Sequence, residues 1–161
     1  MSAAVKPIPE GYHSITPALV SSDASAAIEF YKKVFGATEK GGRAVGPDGK
    51  IMHAELKIGD SVFFINDTMG PASALGTAPK IRPLQLHLYV EKADDVFNRA
   101  VANGARVEMP LQNMFWGGRF GKIVDSFGHE WAIATHIEDV APQEMERRMR
   151  DFMAKAAGQH S

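Results

Sequence analysis

Hydrophobic and polar positions switch along the chain between a two-residue period and a three-to-four-residue period, and each switch marks an element. Residues 51–58 alternate cleanly. Met52, Ala54, Leu56 and Ile58 point one way, while Ile51, His53, Glu55 and Lys57 point the other, which predicts a strand with one packed and one polar face. Gly59 and Asp60 turn the chain into residues 61–66, SVFFIN, an apolar run suited to a strand buried on both sides. Residues 84–90, LQLHLYV, alternate again, with Gln85, His87 and Tyr89 on one face. Residues 119–125 and 130–135 form two more strands joined by turn residues 126–128, a predicted hairpin. Residues 14–20 are a strand in which Pro17, unable to donate to a ladder, marks an edge or a break. Residues 38–45 and 106–109 are shorter strand candidates, and residues 46–49, GPDG, are a turn. Residues 110–118 and 69–83 are predicted loops, the second long enough to separate two modules.

Three stretches carry the helical period. ASAAIEFYKKVFGA, capped by Ser22 or Asp23, sets Ala27, Ile28, Tyr31, Val34 and Phe35 on one stripe and stops at Gly36. A second helix opens at Asp94 or Asp95, runs through Val96, Phe97, Ala100 and Val101, and ends at Gly104-Ala105. A third begins at Pro142 and aligns Met145, Met149, Phe152, Met153 and Ala156, a stripe for packing or for a dimer contact.

The order strand, helix ending in Gly-Ala, strand, hairpin occurs twice. FYKKVFGA corresponds to FNRAVANGA, and KIMHAELKIGDSVFFIND corresponds loosely to RFGKIVDSFGHEWAIATH. The expected fold class is therefore α+β. Two βαβββ modules, residues 12–68 and 84–136, form a curved mixed sheet around a cleft within a domain spanning 12–137. An extended arm, residues 1–11, precedes the domain, and an added C-terminal amphipathic helix and tail, residues 138–161, follow it. The cleft is the natural place for a ligand.

Composition narrows the function. A hydrophobic content of 45% in 161 residues can bury a core without disulfides or metal. With no cysteine, thiol chemistry is excluded. Net charge is −1, from 18 basic and 19 acidic residues, and Arg147-Arg148-Met149-Arg150 is an isolated basic run, so nucleic acid is not an expected partner. No run approaches the roughly 20 apolar residues of a membrane span, and MSAAVKPIPEGYHS lacks a signal-peptide core. A cytoplasmic protein without a membrane partner is expected.

Candidate chemistry clusters late in the chain. Trp116-Gly117-Gly118 places a flat side chain beside two permissive residues, with Arg119 directly after, a lip for a planar or anionic small molecule. Arg119 has Glu55 or Glu130 as internal partners, or a ligand in their place. Parity on the strands sends His53, Glu55, Gln85, His87 and Glu130 towards the cleft. Glu55 and His87 are the candidate catalytic residues, as general base. His53, Gln85, Trp116, Arg119 and Glu130 are the candidate ligand-binding residues. His53, Glu55 and His87 can also supply a displaced site for a divalent metal, or hydrogen-bond among themselves. His129, beside Gly128, shapes the turn.

With AIEFYKKVFGA, HAELKIGDS and WGGRFGKIVDSFGHEW as they stand here, the chain resembles the vicinal oxygen chelate superfamily over residues 11–136, and within it the PhnB-like branch of glyoxalase/bleomycin-resistance proteins. Ser126 stands where that branch has a proline after the aspartate. The resemblance implies a divalent metal held by one side chain from the first strand and one from the last strand of each module. Carried over, these positions are Thr16, Phe63, Gln85 and Ala132. None is a histidine or a carboxylate, and Phe63 and Ala132 have no donor atom, so the family's metal is not expected there. Two functions follow from the resemblance: a small-molecule binding protein without the usual metal, or a metal-dependent lyase, isomerase or dioxygenase using the displaced His/Glu site. A homodimer is expected to complete the cleft.

Overall fold

The computed structural model describes residues 7–68 and 84–158, so the loop expected at 69–83 lies outside the described residues. The chain divides into two compact units, residues 1–80 and 81–161.

The first unit is built from β1 (Ala18–Ser21), α1 (Ala24–Phe35), β2 (Thr38–Glu39), β3 (Ala44–Val45), β4 (Ile51–Ile58) and β5 (Ser61–Asp67). β1 runs parallel to β5, β5 pairs antiparallel with β4, and both β2 and β3 pair antiparallel with β4. α1 begins where the Asp23 carboxylate accepts from the Ala26 amide and ends at Gly36, whose φ of 68° is the left-handed conformation a C′ glycine supplies. Ala27, Ile28, Tyr31 and Val34 of this helix are buried, as are Leu56 of β4 and Ile65 of β5. Three expectations change. β1 starts only after Pro17, which has no N–H but whose carbonyl accepts from Phe64. The strand expected over 38–45 is two short pieces, because Gly41 (φ 73°) and Gly42 interrupt it. Met52, assigned to the packed face by parity, is 53% exposed.

The second unit repeats the order with β6 (Gln85–Tyr89), α2 (Ala93–Ala102), β7 (Arg106–Asn113), β8 (Gly118–Val124) and β9 (Glu130–His136), then adds α3 (Pro142–Gly158). β6 runs parallel to β9, and β9, β8 and β7 follow antiparallel. α2 begins at Ala93, earlier than expected, because the Thr135 hydroxyl on β9 accepts from the Ala93 amide. Asp94 and Asp95 thus fall in its first turn, where carboxylates favour the positive helix end. The first unit uses the same device: Asp67 on β5 accepts from the Ala24 amide. β7 continues to Asn113, through Pro110, where a loop was expected. Register shifts bracket this proline on an edge strand, so its missing N–H leaves no ladder position empty.

α3 buries none of its residues; Met149, Phe152 and Met153 are 44%, 46% and 62% exposed. It is tied to the β7–β8 connection by the Phe115–Phe152 ring contact (5.1 Å) and by Arg148, which donates to the Phe115 carbonyl and to both oxygens of Glu138. The fold is α+β, with two mixed sheets and three helices including a C-terminal one. Among the described residues no helix is long and apolar enough to cross a membrane.

Candidate functional site

In the second unit, strand alternation separates a face packed against α2 from the opposite face. Gly121 belongs to the covered face, since a Cβ there would stand 2.8 Å from the Phe97 ring of α2. By register, Phe120 and Lys122 of β8, Glu130, Ala132 and Ala134 of β9, and Gln85, His87 and Tyr89 of β6 share the other face. Phe120, Ala132 and Ala134 are buried there, with Met109, Met114 and Trp116 packed against them. A Cβ at Gly118 would stand 2.7 Å from the Trp116 Nε1, so only glycine lets the indole lie across the strand. The indole meets the Phe120 ring edge-on at 5.4 Å. The His87 ring lies 5.8 Å from Phe120 and 4.5 Å from Tyr89, which is 70% exposed.

A polar border adjoins these rings. Gln85 Nε2 donates to Glu130 Oε1 at 3.1 Å, and Lys122 Nζ is 3.7 Å from the same oxygen. Partial burial holds the His87 pKa below the ordinary histidine value, so near neutral pH its imidazole is uncharged, with one donor and one acceptor nitrogen. Flat apolar surface beside an amide, a carboxylate, an ammonium and a neutral imidazole suits a planar organic molecule with hydrogen-bonding edges.

Arg119 is not part of this surface. It pairs with Thr135 across β8 and β9 and so lies on the α2 side, where Nε and Nη2 donate to the two oxygens of Asp94 at 2.6 and 2.7 Å and Nη1 donates to Asn113 Oδ1 at 3.1 Å. Those hydrogen bonds raise the Arg119 pKa and lower that of Asp94. The partners expected from sequence, Glu55 and Glu130, are replaced by Asp94. Adjacency to Trp116 suggested a shared role, but the tryptophan sits in the turn before β8, closed by Gly118 and Met114 carbonyls, and alternation then sends residues 119 and 120 to opposite faces.

In the first unit, His53 and Glu55 share the face of the sheet that carries Phe64. His53 Nε2 is hydrogen-bonded to Glu55 Oε1 at 3.1 Å, and the Tyr12 hydroxyl donates to Glu55 Oε2. Tyr12 first and His53 second hold the Glu55 pKa below its usual value. The His53 ring is 4.8 Å from Phe64, and Lys40 Nζ stands 4.0 Å over the Tyr12 ring. Tyr12 went unnoticed in the sequence because it lies in a segment with no period. Its only signal was an aromatic residue among polar ones.

The donor set implied by the resemblance does not fit a metal. Phe63 faces the helix side, its ring edge-on to Tyr31 at 5.9 Å, so the carried-over register is one residue out on β5. The residue on the other face there is Phe64, which also has no donor. Ala132 contributes a buried methyl, and the Gln85 amide is engaged by Glu130. The proposed displaced set divides between units: His53 and Glu55 belong to the first and His87 to the second. Among the described residues no three His, Asp or Glu side chains gather as a metal would require.

The turn between β8 and β9 is organised by Asp125, which is 4% exposed. Its Oδ1 accepts from the Phe127 and His129 amides and its Oδ2 from Trp131 Nε1, each at 2.9 Å, with His129 Nδ1 3.6 Å from Oδ2. The aspartate, histidine and tryptophan of DSFGHEW are thus one structural unit. His129 keeps the turn-shaping role expected of it.

Residues 12–133 match the model of the Glyoxalase/Bleomycin resistance protein/Dioxygenase superfamily. The chain is 38% identical over 145 residues to the uncharacterized protein Rv0887c of Mycobacterium tuberculosis, covering 84% of this chain and 82% of that one. TioX from Micromonospora sp. ML1 is 28% identical, with a TM-score of 0.61 over 78% of this chain and all of its own. The PhnB protein of Bacillus cereus, 22% identical, shares the fold with a TM-score of 0.62 over 76% of this chain and 99% of its own. The chain belongs to the Glyoxalase/Bleomycin resistance protein/Dioxygenase superfamily.

Proposed function

We propose that this protein binds a planar small molecule without turning it over, on the face of the β6–β9–β8–β7 sheet opposite α2 and without the metal usual in the superfamily. The observation that carries the reading is the Trp116 indole laid across Gly118 against Phe120, beside the Gln85–Glu130–Lys122 border. The ligand's ring stacks on these aromatics, and its polar edge meets Gln85, His87 or Glu130. An anionic ligand loses its support, because the guanidinium that suggested it is already neutralised by Asp94. Within the superfamily we place the chain in the PhnB-like branch on the strength of WGGRFGKIVDSFGHEW. The exposed stripe of α3 supports a homodimer.

The enzymatic alternative would rest on His87, whose lowered pKa keeps it neutral and able to take a proton near pH 7. Glu55 is the weaker base, since its two oxygens already accept from Tyr12 and His53 and its pKa is depressed. Calorimetric titration with a panel of planar heteroaromatic compounds tests the binding reading. Wild type and Arg119→Ala should bind the same compounds with equal affinity, and Trp116→Ala should bind them about tenfold more weakly. Binding indifferent to Trp116, or abolished by Arg119→Ala, would overturn it.

A further inference from the structure

The segment preceding β1 and the adjacent sheet face of the first unit enclose a depression of about 370 Å³. Its walls are largely apolar, from Ile8, Pro9, Tyr12 and Phe64, with His13, Ser14 and Thr16 also lining it. One carboxylate, Glu55, reaches into it. Glu55 is ionised at neutral pH, because the Tyr12 hydroxyl and His53 both stabilise the charged form. A carboxylate accepts about four hydrogen bonds, so one donor on each oxygen leaves acceptor capacity for a ligand. The Lys40 ammonium rests over the Tyr12 ring at 4.0 Å and adds to the stabilisation of the ionised carboxylate.

A negative charge on the wall of an apolar, ring-lined hollow is matched by one class of small molecule, an organic cation with an apolar body. The geometry points to a second small-molecule site, in the first unit, for a compact primary or secondary ammonium carrying an aromatic or aliphatic group. The ammonium donates to Glu55, the body packs between Ile8, Pro9 and Phe64, and the Ser14 hydroxyl is available to a polar substituent. This site shares no residue with the Trp116 surface and does not rest on the reading proposed for it.

Three ligands with one body and different charge test it: phenethylamine as the cation, 2-phenylethanol as the neutral form and phenylacetate as the anion, each titrated calorimetrically into the full chain at pH 7. The amine should bind about tenfold more tightly than the alcohol, as expected for one partly screened charge pair, and phenylacetate more weakly still. Glu55→Gln should reduce the amine to the affinity of the alcohol, whereas Trp116→Ala should leave the amine unaffected. Should Glu55→Gln fail to fold, the comparison of the three ligands on wild type decides by itself. No binding of the amine, equal binding of amine and alcohol, or a preference that survives Glu55→Gln would each overturn the assignment. Retained amine binding in a protein that takes no planar compound would remove the Trp116 reading and leave this one standing.

Discussion

Asp125 shows how a residue can be indispensable to a site it never touches. It is the buried carboxylate that gathers two turn amides and the Trp131 indole, and so fixes where β9 begins and which of its residues face Gln85 and His87. Removing the carboxylate leaves three donors without their acceptor in a buried place. Asp125→Ala should therefore destabilise the protein by on the order of 3 kcal/mol or more in denaturant unfolding, since each hydrogen bond to a charged group is worth about 1.5–3 kcal/mol. A loss no larger than that of a surface substitution would refute this role. The motif DSFGHEW was visible in the sequence, but the pairing inside it was not, because a turn's hydrogen bonds depend on backbone angles that spacing alone does not determine. Arg119 and Phe63 failed for a related reason. Strand alternation was read correctly over most of each segment, the start of β4 at Ile51 and Met52 excepted, yet its phase depends on where the turn ends, and an error of one residue moves a side chain to the opposite face. His53 and Glu55 were read correctly as neighbours because they sit two apart on one alternating run, whereas the Gln85–Glu130 contact joins two strands whose pairing the spacing does not give.

Among the elements, the three helices and the long strands were legible because their periods run over many residues, whereas several ends were set by contacts from far along the chain. α2 starts where Thr135 reaches it, and β7 ignores Pro110 because the proline falls at a register shift on an edge. The segment before β1 is the clearest case of structure without a pattern: Tyr12 attaches it to β4 through Glu55. Its energetic signature depends on pH. The Glu55 pKa is lower folded than unfolded, so the contact's contribution is complete above the ordinary carboxylate value of 4.5 and fades as pH falls through the folded value. Tyr12→Phe should cost about 1 kcal/mol at pH 7. The gap from wild type should narrow below pH 4.5 as Glu55 takes up its proton. Paired thermal melts across this range check the sign, and a gap that widens with acid would contradict it.

For the whole molecule, the twofold repetition of strand order is the feature that sequence displayed best, whereas the helix-capping device that repeats with it emerges only in the structure. The repeat pairs FGA with NGA and HAELKIGDS with KIVDSFGHEW, and so carried the family assignment before any side chain was placed. The proposed homodimer would cover the partly exposed Met149, Phe152 and Met153 of the α3 stripe. Light scattering should give a dimer for the wild type and a monomer for the double substitution Met149→Asp and Phe152→Asp; a wild-type monomer at micromolar concentration would remove the proposal.

The proposed ligand site, Trp116 and Phe120 beside the Gln85–Glu130–Lys122 border, is read as needing no metal. That reading is tested most directly by titrating one planar ligand into protein dialysed against EDTA and into the same protein resupplied with zinc, manganese or iron(II). The affinity should be the same in every case, with no stoichiometric metal retained. Binding that disappears with the chelator and returns with one equivalent of metal would contradict it.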